Sequence, residues 1–264
     1  MKRAALRGVV PLVVVVAVSA AMTLLSSASP TRLDPGLSWC APSRAHLLGC
    51  GEGGVDLLAL LSRAEIGAVA LAVSVALFGF LVGTPLGAAA ALSRGRFERV
   101  VSRTADLIQA FPTFLFALVV LSAVRSPNRV ELGVVFAATA WAPFARLSLA
   151  QTRVLRDATF LEAAAALGLG RARIVLRHLV PHLLGVVAVE LGSTGAAIVI
   201  SEAALAFVGL GPRDGVSLGA VMDQGVAAML RAPHVLVVGA VSIFATSVSL
   251  LLAGRALESR PEPG

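Results

Sequence analysis

An all-α membrane protein with six transmembrane helices is the fold class this sequence predicts, and three observations predict it. Of 264 residues, 57% are hydrophobic and 14% charged, with a mean hydropathy of +0.89. A soluble domain carries about 45–50% apolar and about 25% charged residues. The apolar residues fall in runs long enough to cross a bilayer, which takes about 20 residues at 1.5 Å each. The charged residues collect in the gaps. A net charge of +7 raises the question of a polyanionic partner. The arginines are dispersed, however, and no basic stripe interleaved with aromatics appears, so topology rather than nucleic acid accounts for the charge.

Lys2, Arg3 and Arg7 precede the first run, Val9 to Leu25. The pattern fits a signal peptide or a first span. It is read as an uncleaved span, because the run matches bilayer thickness and exceeds the usual signal core of about 7 to 15 residues. Residues 26–65 form the longest polar connection and contain the only two cysteines, Cys40 and Cys50. In an oxidising exterior they can close a disulfide, worth roughly 2 to 3 kcal/mol for a short loop. Two free thiols stay open as the alternative, since sequence does not show whether the pair is within reach. The second span is expected over 66–92, with Gly and Pro in Gly83 to Gly87 permitting a kink and close packing. The third is expected over 105–124, bent by Pro112, with Phe114 and Phe116 as lipid or core contacts. The fourth, fifth and sixth are expected over 132–149, 183–200 and 234–252. This divides the chain into an N-terminal span with its external loop, 1–65, and a five-span unit, 66–264.

Glu190 falls inside the fifth span, roughly 13 Å beyond Pro181 at 1.5 Å per residue. A carboxyl group at that depth faces a cavity or a partner, or is a hydrogen-bonded packing residue; both readings stay open. Gly192 with Ala196, flanked by Gly195 and Ala197, has the small-residue spacing of a helix interface and is expected to meet a second membrane subunit.

Basic residues fix the orientation. Arg94, Arg96, Arg99, Arg103, Arg146, Arg153, Arg156, Arg171, Arg173 and Arg177 lie in gaps that alternate with sparser ones holding Arg32, Arg44, Arg63, Arg125, Arg129, Arg213 and Arg231. Positive charge favours the cytoplasm, so both termini are expected inside and the cysteine loop outside.

The polar interruption 161–182, LEAAAALGLGRARIVLRHLVPH, organises the chain. Arginine at a bilayer centre costs roughly 2.5 to 3.5 kcal/mol, so the segment is expected between spans, as two short helices hinged at Gly168 and Gly170. Pro181 is expected to open the next helix, where no amide donor is needed.

Glu162, Ala163, Ala164, Gly168 and Pro181 fall on the spacing of the EAA loop of bacterial ABC importer permeases: EAA, three residues, Gly, nine residues, an apolar residue, one more, Leu and Pro. The chain resembles the dipeptide, oligopeptide and nickel branch of that family, with His178 at the apolar position and Val180 in place of Leu. Further strings agree. HLLGCGEGGVDLL at 46–58 is similar to HPLGTDxxGRDVL, with Val55 in place of Arg; Trp141 to Arg146 resembles GWPGYAR; SEAALAFVGLG at 201–211 resembles AEASLSFLGLG.

The resemblance implies the type I importer permease fold with a cytoplasmic coupling helix. It implies docking on ATPase subunits through Glu162, Ala163, Ala164, Gly168 and Pro181. It implies a heterodimer with a homologous permease and delivery of cargo by an extracytoplasmic substrate-binding protein. It also implies a non-catalytic subunit that binds no cofactor itself, ATP and Mg being held by the ATPases. Di- and oligopeptides, haem or nickel are the cargoes of that branch. The chain carries no GxxxxGK[ST] loop of its own. Residues 201–233 are expected to form an external, re-entrant segment that gates the outer face or meets the binding protein. An autonomous secondary transporter or channel is the competing class, favoured by Glu190 and the Gly/Pro-interrupted spans. An intramembrane enzyme finds no support, because His46, His178, His182 and His234 are scattered and no metal-ligand spacing appears.

Overall fold

The computed structural model describes residues 33–124 and 127–258, together with Val10, Leu12, Val13, Val14, Val16 and Ala17. The expected first span falls largely outside the described residues. Among the described residues, nine α-helices follow the first loop: α1 Leu57–Ser93, α2 Arg96–Ala110, α3 Thr113–Ser122, α4 Arg129–Leu155, α5 Thr159–Ala166, α6 Arg171–Ile174, α7 Val180–Phe207, α8 Leu218–Ala227 and α9 Pro233–Glu258. A π-turn, Val175–Leu179, welds α6 to α7. Among the described residues, α1, α4, α6–α7 and α9 are long and apolar enough to cross a membrane. The α2–α3 pair supplies a fifth crossing if the two count as one broken span.

Hydropathy set the span limits too narrowly. Asp56 accepts the Ala59 amide at 3.0 Å and starts α1 at Leu57 rather than at 66, so the expected division at 65 falls inside this helix. Asn128 and Glu131 exchange side-chain and backbone hydrogen bonds at 2.9 and 2.8 Å, a capping box that starts α4 at Arg129. Polar caps thus extend helices beyond their apolar runs.

Small residues set the packing. Gly79, Gly83 and Gly87 lie at intervals of four along the α1 face that meets α4. A Cβ at Gly79 would sit 2.6 Å from the Ala140 carbonyl, and Cβ atoms at the other two would overlap the Trp141 and Ala145 carbonyls. On the opposite side of the bundle, Gly192 of α7 meets Gly254 of α9, where a Cβ would lie 2.9 Å from the facing Cα. The face expected to meet a second subunit is therefore used within the chain: Gly192, Gly195 and Ala196 are buried against Leu250 and Gly254. Only Ala197 of that group is exposed.

The basic loop expected after α1 is instead the amphipathic helix α2, which buries Val101 and Ala105. It ends where Phe111 takes the extended conformation that a following proline imposes, and α3 departs at 76°.

The helices divide the molecule into two ends. At the disulfide end, residues 33–56 fold over the starts of α1 and α9. Cys40 and Cys50 are joined in a disulfide, His46 Nδ1 lies 2.8 Å from Asp56 Oδ2, and Arg231 lies 5.6 Å from the Trp39 ring centre. Helix α7 continues through Phe207 rather than ending near Ile200, so much of the segment expected to be re-entrant is helix. Its remainder forms α8, capped by Ser217, with Gly219 pressed on the Ala203 carbonyl of α7. At the opposite, coupling end lie α5, α6 and the C-termini of α1, α4 and α9.

Candidate coupling site and translocation face

Helix α5 carries the Glu162-Ala163-Ala164 string, and its pattern of burial decides what it can do. Leu161 and Ala164 are each 4% exposed and belong to an apolar cluster with Ala88, Phe144, Leu179, Leu183 and Val187. Leu161 alone contributes about 1.5 to 3 kcal/mol of burial. Glu162, Ala163 and Ala166 point away from the bundle, and Leu167 is 83% exposed. One face is clamped to three spans while the other is free.

The helix stops at Gly168, whose φ of +76° closes the turn: Leu169 donates to the Ala164 carbonyl at 3.2 Å and Leu167 to that of Ala163 at 3.0 Å. Two otherwise orphaned carbonyls are thereby satisfied. No heavy atom stands within 4 Å of where a Cβ would be at Gly168. Glycine is needed there for its backbone, not for space.

Pro181 does not begin a separate helix, and the second expected short helix is continuous with the span. The π-turn, closed by the Val180 amide on the Val175 carbonyl, widens the ladder next to the residue that has no amide hydrogen. His182 donates from Nδ1 to the His178 carbonyl at 2.6 Å and stacks on Phe160, ring centres 4.9 Å apart. This stack ties α5 to the first turn of α7.

Charge adds a second tie that the sequence reading missed. Glu98 of α2 is 9% exposed and accepts from Arg153 Nε at 2.6 Å, with Arg156 at 3.8 Å. Arg94 pairs with Asp157, and Arg146 with Asp106 at 3.4 Å. Both arginines that hold Glu98 sit one turn apart at the end of α4. The signal was two acids, Glu98 and Asp106, among the arginines of α2, which periodicity alone did not match to a distant helix.

Glu190 lies elsewhere, away from the clamp. It borders a cavity of about 400 Å³ where α2 breaks into α3, lined also by Gln109, Thr113, Thr139, Ser193 and Thr194. The Thr194 hydroxyl donates to Glu190 Oε1 at 3.0 Å, and Ser193 to the Glu190 carbonyl at 3.1 Å. The helix break brings the polar groups of four helices, α2, α3, α4 and α7, to one opening.

Residues 83–262 match the family model described as binding-protein-dependent transport system inner membrane component. The chain belongs to this family. It is an inner-membrane permease of the ABC importer type, multi-pass and almost wholly helical among the described residues. The glutathione transport system permease protein GsiD of Pectobacterium atrosepticum is 30% identical over 223 residues, covering 84% of this chain and 74% of that protein. The oligopeptide transport system permease protein OppC of Haemophilus influenzae is 30% identical over 221 residues, 83% and 70%. GsiD of Escherichia coli O6:K15:H31 is 33% identical over 228 residues, 84% and 73%. The permease therefore sits in the peptide branch.

In this permease the sequence-predicted residues separate into three places. Glu162, Ala163 and Gly168 share the free rim of α5, Ala164 lies on its anchored face, and Pro181 stands in α7, against which that face packs. Glu190 faces the cavity. Cys40 and Cys50 lie at the far end, where their sulfurs and His46 Nδ1 or Nε2 fall within 4.8 Å of one another; the bond between the sulfurs occupies both.

A further electrostatic relation, longer than an ion pair, went unread in the sequence. Glu202 of α7 is 3% exposed, its Oε2 has no hydrogen-bond partner, and the charge acting on it is that of Arg129. The Arg129 guanidinium fills the space where Gly67 lacks a side chain and donates to the Val216 carbonyl at 2.7 Å. Glu202 was visible in the SEAALAFVGLG string but carried no partner there.

Proposed function

We propose that this permease is one of two homologous membrane subunits of an ATP-driven importer of peptides, and that it couples transport to ATPase subunits through α5. The carrying observation is the split face of α5: Leu161 and Ala164 anchored in the bundle, Glu162, Ala163 and Ala166 left open. Motion imposed on that rim passes through the apolar cluster into α1, α4 and α7, because packed side chains transmit displacement rather than absorb it. Small alanine side chains let a partner's backbone come close, and Glu162 offers a charge-assisted hydrogen bond to a basic group. Gly168 holds the turn that presents this rim, and Pro181 with its π-turn sets the angle at which the rim meets the span.

In this reading ATP and Mg belong to the cytoplasmic ATPase subunits, and the permease itself is non-catalytic. Both termini and α5 are cytoplasmic, while the Cys40–Cys50 loop is external and receives an extracytoplasmic binding protein. The unit that begins with α1 is preceded by a further span. The glutathione and oligopeptide permeases named above support a peptide cargo. The Glu190 cavity supports a path along the exposed side of α7.

The test is cross-linking of Ala163→Cys to cysteines placed on the partner ATPase, with uptake of peptide measured in the same complex. Cross-linking that traps the complex and stops uptake is expected. Wild-type uptake with no cross-link at any ATPase position would make α5 a solvated connector. An autonomous transporter, the reading that Glu190 favours, would take up peptide on a proton gradient with no ATPase present.

A further inference from the structure

Val186, Glu190, Ser193, Ala197 and Ile200 recur at intervals of three and four along one side of α7, whose centre faces the break between α2 and α3 across a cavity. Val186 is 36% and Ile200 53% exposed. A line of apolar residues facing lipid or a second subunit needs no explanation, but its centre is polar: Glu190 and Ser193 open on the 400 Å³ cavity with Gln109, Thr113, Thr139 and Thr194. That volume falls within the range of about 300–1,000 Å³ found for small-ligand pockets.

The cavity's charge is one-sided. Among the described residues its walls offer hydroxyls and one amide around a single carboxylate, with no lysine, arginine or histidine in the lining. Among the described residues Glu190 makes no ion pair; its polar contacts are the Thr194 and Ser193 hydroxyls. A carboxylate can accept about four hydrogen bonds, so these leave capacity for a donor entering the cavity. A carboxylate within a membrane-crossing helix is expensive, and the cost is offset when a mobile cation shares the site. The ion pairs His46–Asp56, Arg94–Asp157 and Arg153–Glu98 lie elsewhere, at the two ends of the described residues.

We infer that Glu190 is a cation station for the cargo, holding the free α-ammonium of a peptide while the hydroxyl-lined walls take its amide groups. This rests on reading the Glu190 face as the translocation path and deepens it by naming the recognised group. It distinguishes a peptide with a free amino terminus from one whose terminus is acylated, and it disfavours anionic groups at the same place.

The experiment uses the assembled importer with Ser193→Cys as reporter, the native cysteines being bonded to each other. Two impermeant thiol reagents of similar size are compared in proteoliposomes, the cationic trimethylammonium-ethyl and the anionic sulfonato-ethyl methanethiosulfonate, each normalised to its rate with a free thiol. The normalised cation-to-anion ratio is expected to exceed tenfold and to fall to within about twofold when Glu190→Gln is added. In parallel, uptake of a random tripeptide pool with free amino termini should fall at least fivefold in Glu190→Gln, with Glu190→Asp recovering part of it. Equal rates for the two reagents, or unchanged uptake in Glu190→Gln, overturn the proposal. Modification by neither reagent overturns the path reading instead. A wild-type complex that takes up no peptide overturns the peptide reading, and the reagent ratio still decides the charge preference.

Discussion

At the disulfide end of the permease, residues 33–56 are tied to themselves by Cys40–Cys50 and His46–Asp56 and to neighbouring helices by Trp39 and Arg231. At the coupling end, α5 is held by one apolar face and one ring stack, and the Arg94–Asp157 pair beside it is open to water. The first arrangement closes a surface. The second leaves one available, and it fixes the angle of that surface without covering it. Under the function proposed above, a subunit driven at one end and supplied with cargo at the other makes use of this inequality, since a rim that satisfied all its own groups would have nothing left for a partner.

The comparison breaks most visibly through Arg129. Its guanidinium is the charge that faces the buried Glu202, so Arg129→Met leaves a carboxylate stranded beneath the disulfide end. A loss of about 3 kcal/mol is expected, measured by thermal unfolding of the reconstituted permease, the cost of leaving a buried charged group without its compensating charge. Adding Glu202→Leu should return most of it, because the cost lies in the unmatched charge. A loss that the second substitution does not relieve would mean that Arg129 acts through its contacts with Gly67 and Val216 instead.

The next largest effect is expected from Cys40→Ser with Cys50→Ser. Opening a short loop costs roughly 2 to 3 kcal/mol, and amide exchange at 37–51 should rise while α5 and α6 keep their protection. Non-reduced wild-type protein should show no readily labelled thiol at these positions. Two labelled thiols, or faster exchange at α5, would remove the independence of the two ends.

Gly168→Val lies on the other side of the comparison. A β-branched residue at a φ of +76° costs about 1 to 2 kcal/mol although nothing crowds its Cβ. The penalty is too small to unfold the spans, so assembly with the ATPase and uptake of peptide are the readouts, and uptake should fall well below wild type. Wild-type assembly together with wild-type uptake would leave the turn without a coupling role.

What could be read in advance follows the same division. The EAA string, Gly168 and the helix-breaking Phe111-Pro112 were legible because each acts through its own backbone or immediate neighbours. The span limits were misjudged where caps such as Asp56 and Asn128 recruit polar residues into helices, which hydropathy discounts. Gly192 and Ala196 were read as an interface correctly in kind but wrongly in partner, since small-residue spacing shows that a helix comes close and not which one. Glu98–Arg153 and Arg129–Glu202 join residues far apart in the chain, and a carboxylate has no local sign of where its arginine will arrive. Glu190 was legible as an oddity, whereas the cavity that gives it meaning needed four helices in place.

The smallest effect is expected at Arg94, which shares with Gly168 both the coupling end and a left-handed backbone. Arg94 closes α1 at φ +47°, a conformation that a side chain adopts at a cost and glycine adopts freely. It also pairs with Asp157, but the two side chains are 57% and 64% exposed, so water and salt reduce that pair to about 0.2 to 1 kcal/mol. Arg94→Gly removes the pair and relieves the backbone, two small terms of opposite sign. Stability within about 0.5 kcal/mol of wild type is expected from thermal unfolding, the relief from the left-handed strain being of the same order as the lost pair. Raising the salt concentration should narrow any remaining difference from wild type, since only the wild type has the pair to lose. A loss above about 2 kcal/mol would exceed what an exposed pair can supply and would show that Arg94, together with Glu98, Arg153 and Arg156, works as one network that holds the coupling rim. The coupling end would then be as firmly fastened as the disulfide end, by charge in place of a covalent bond.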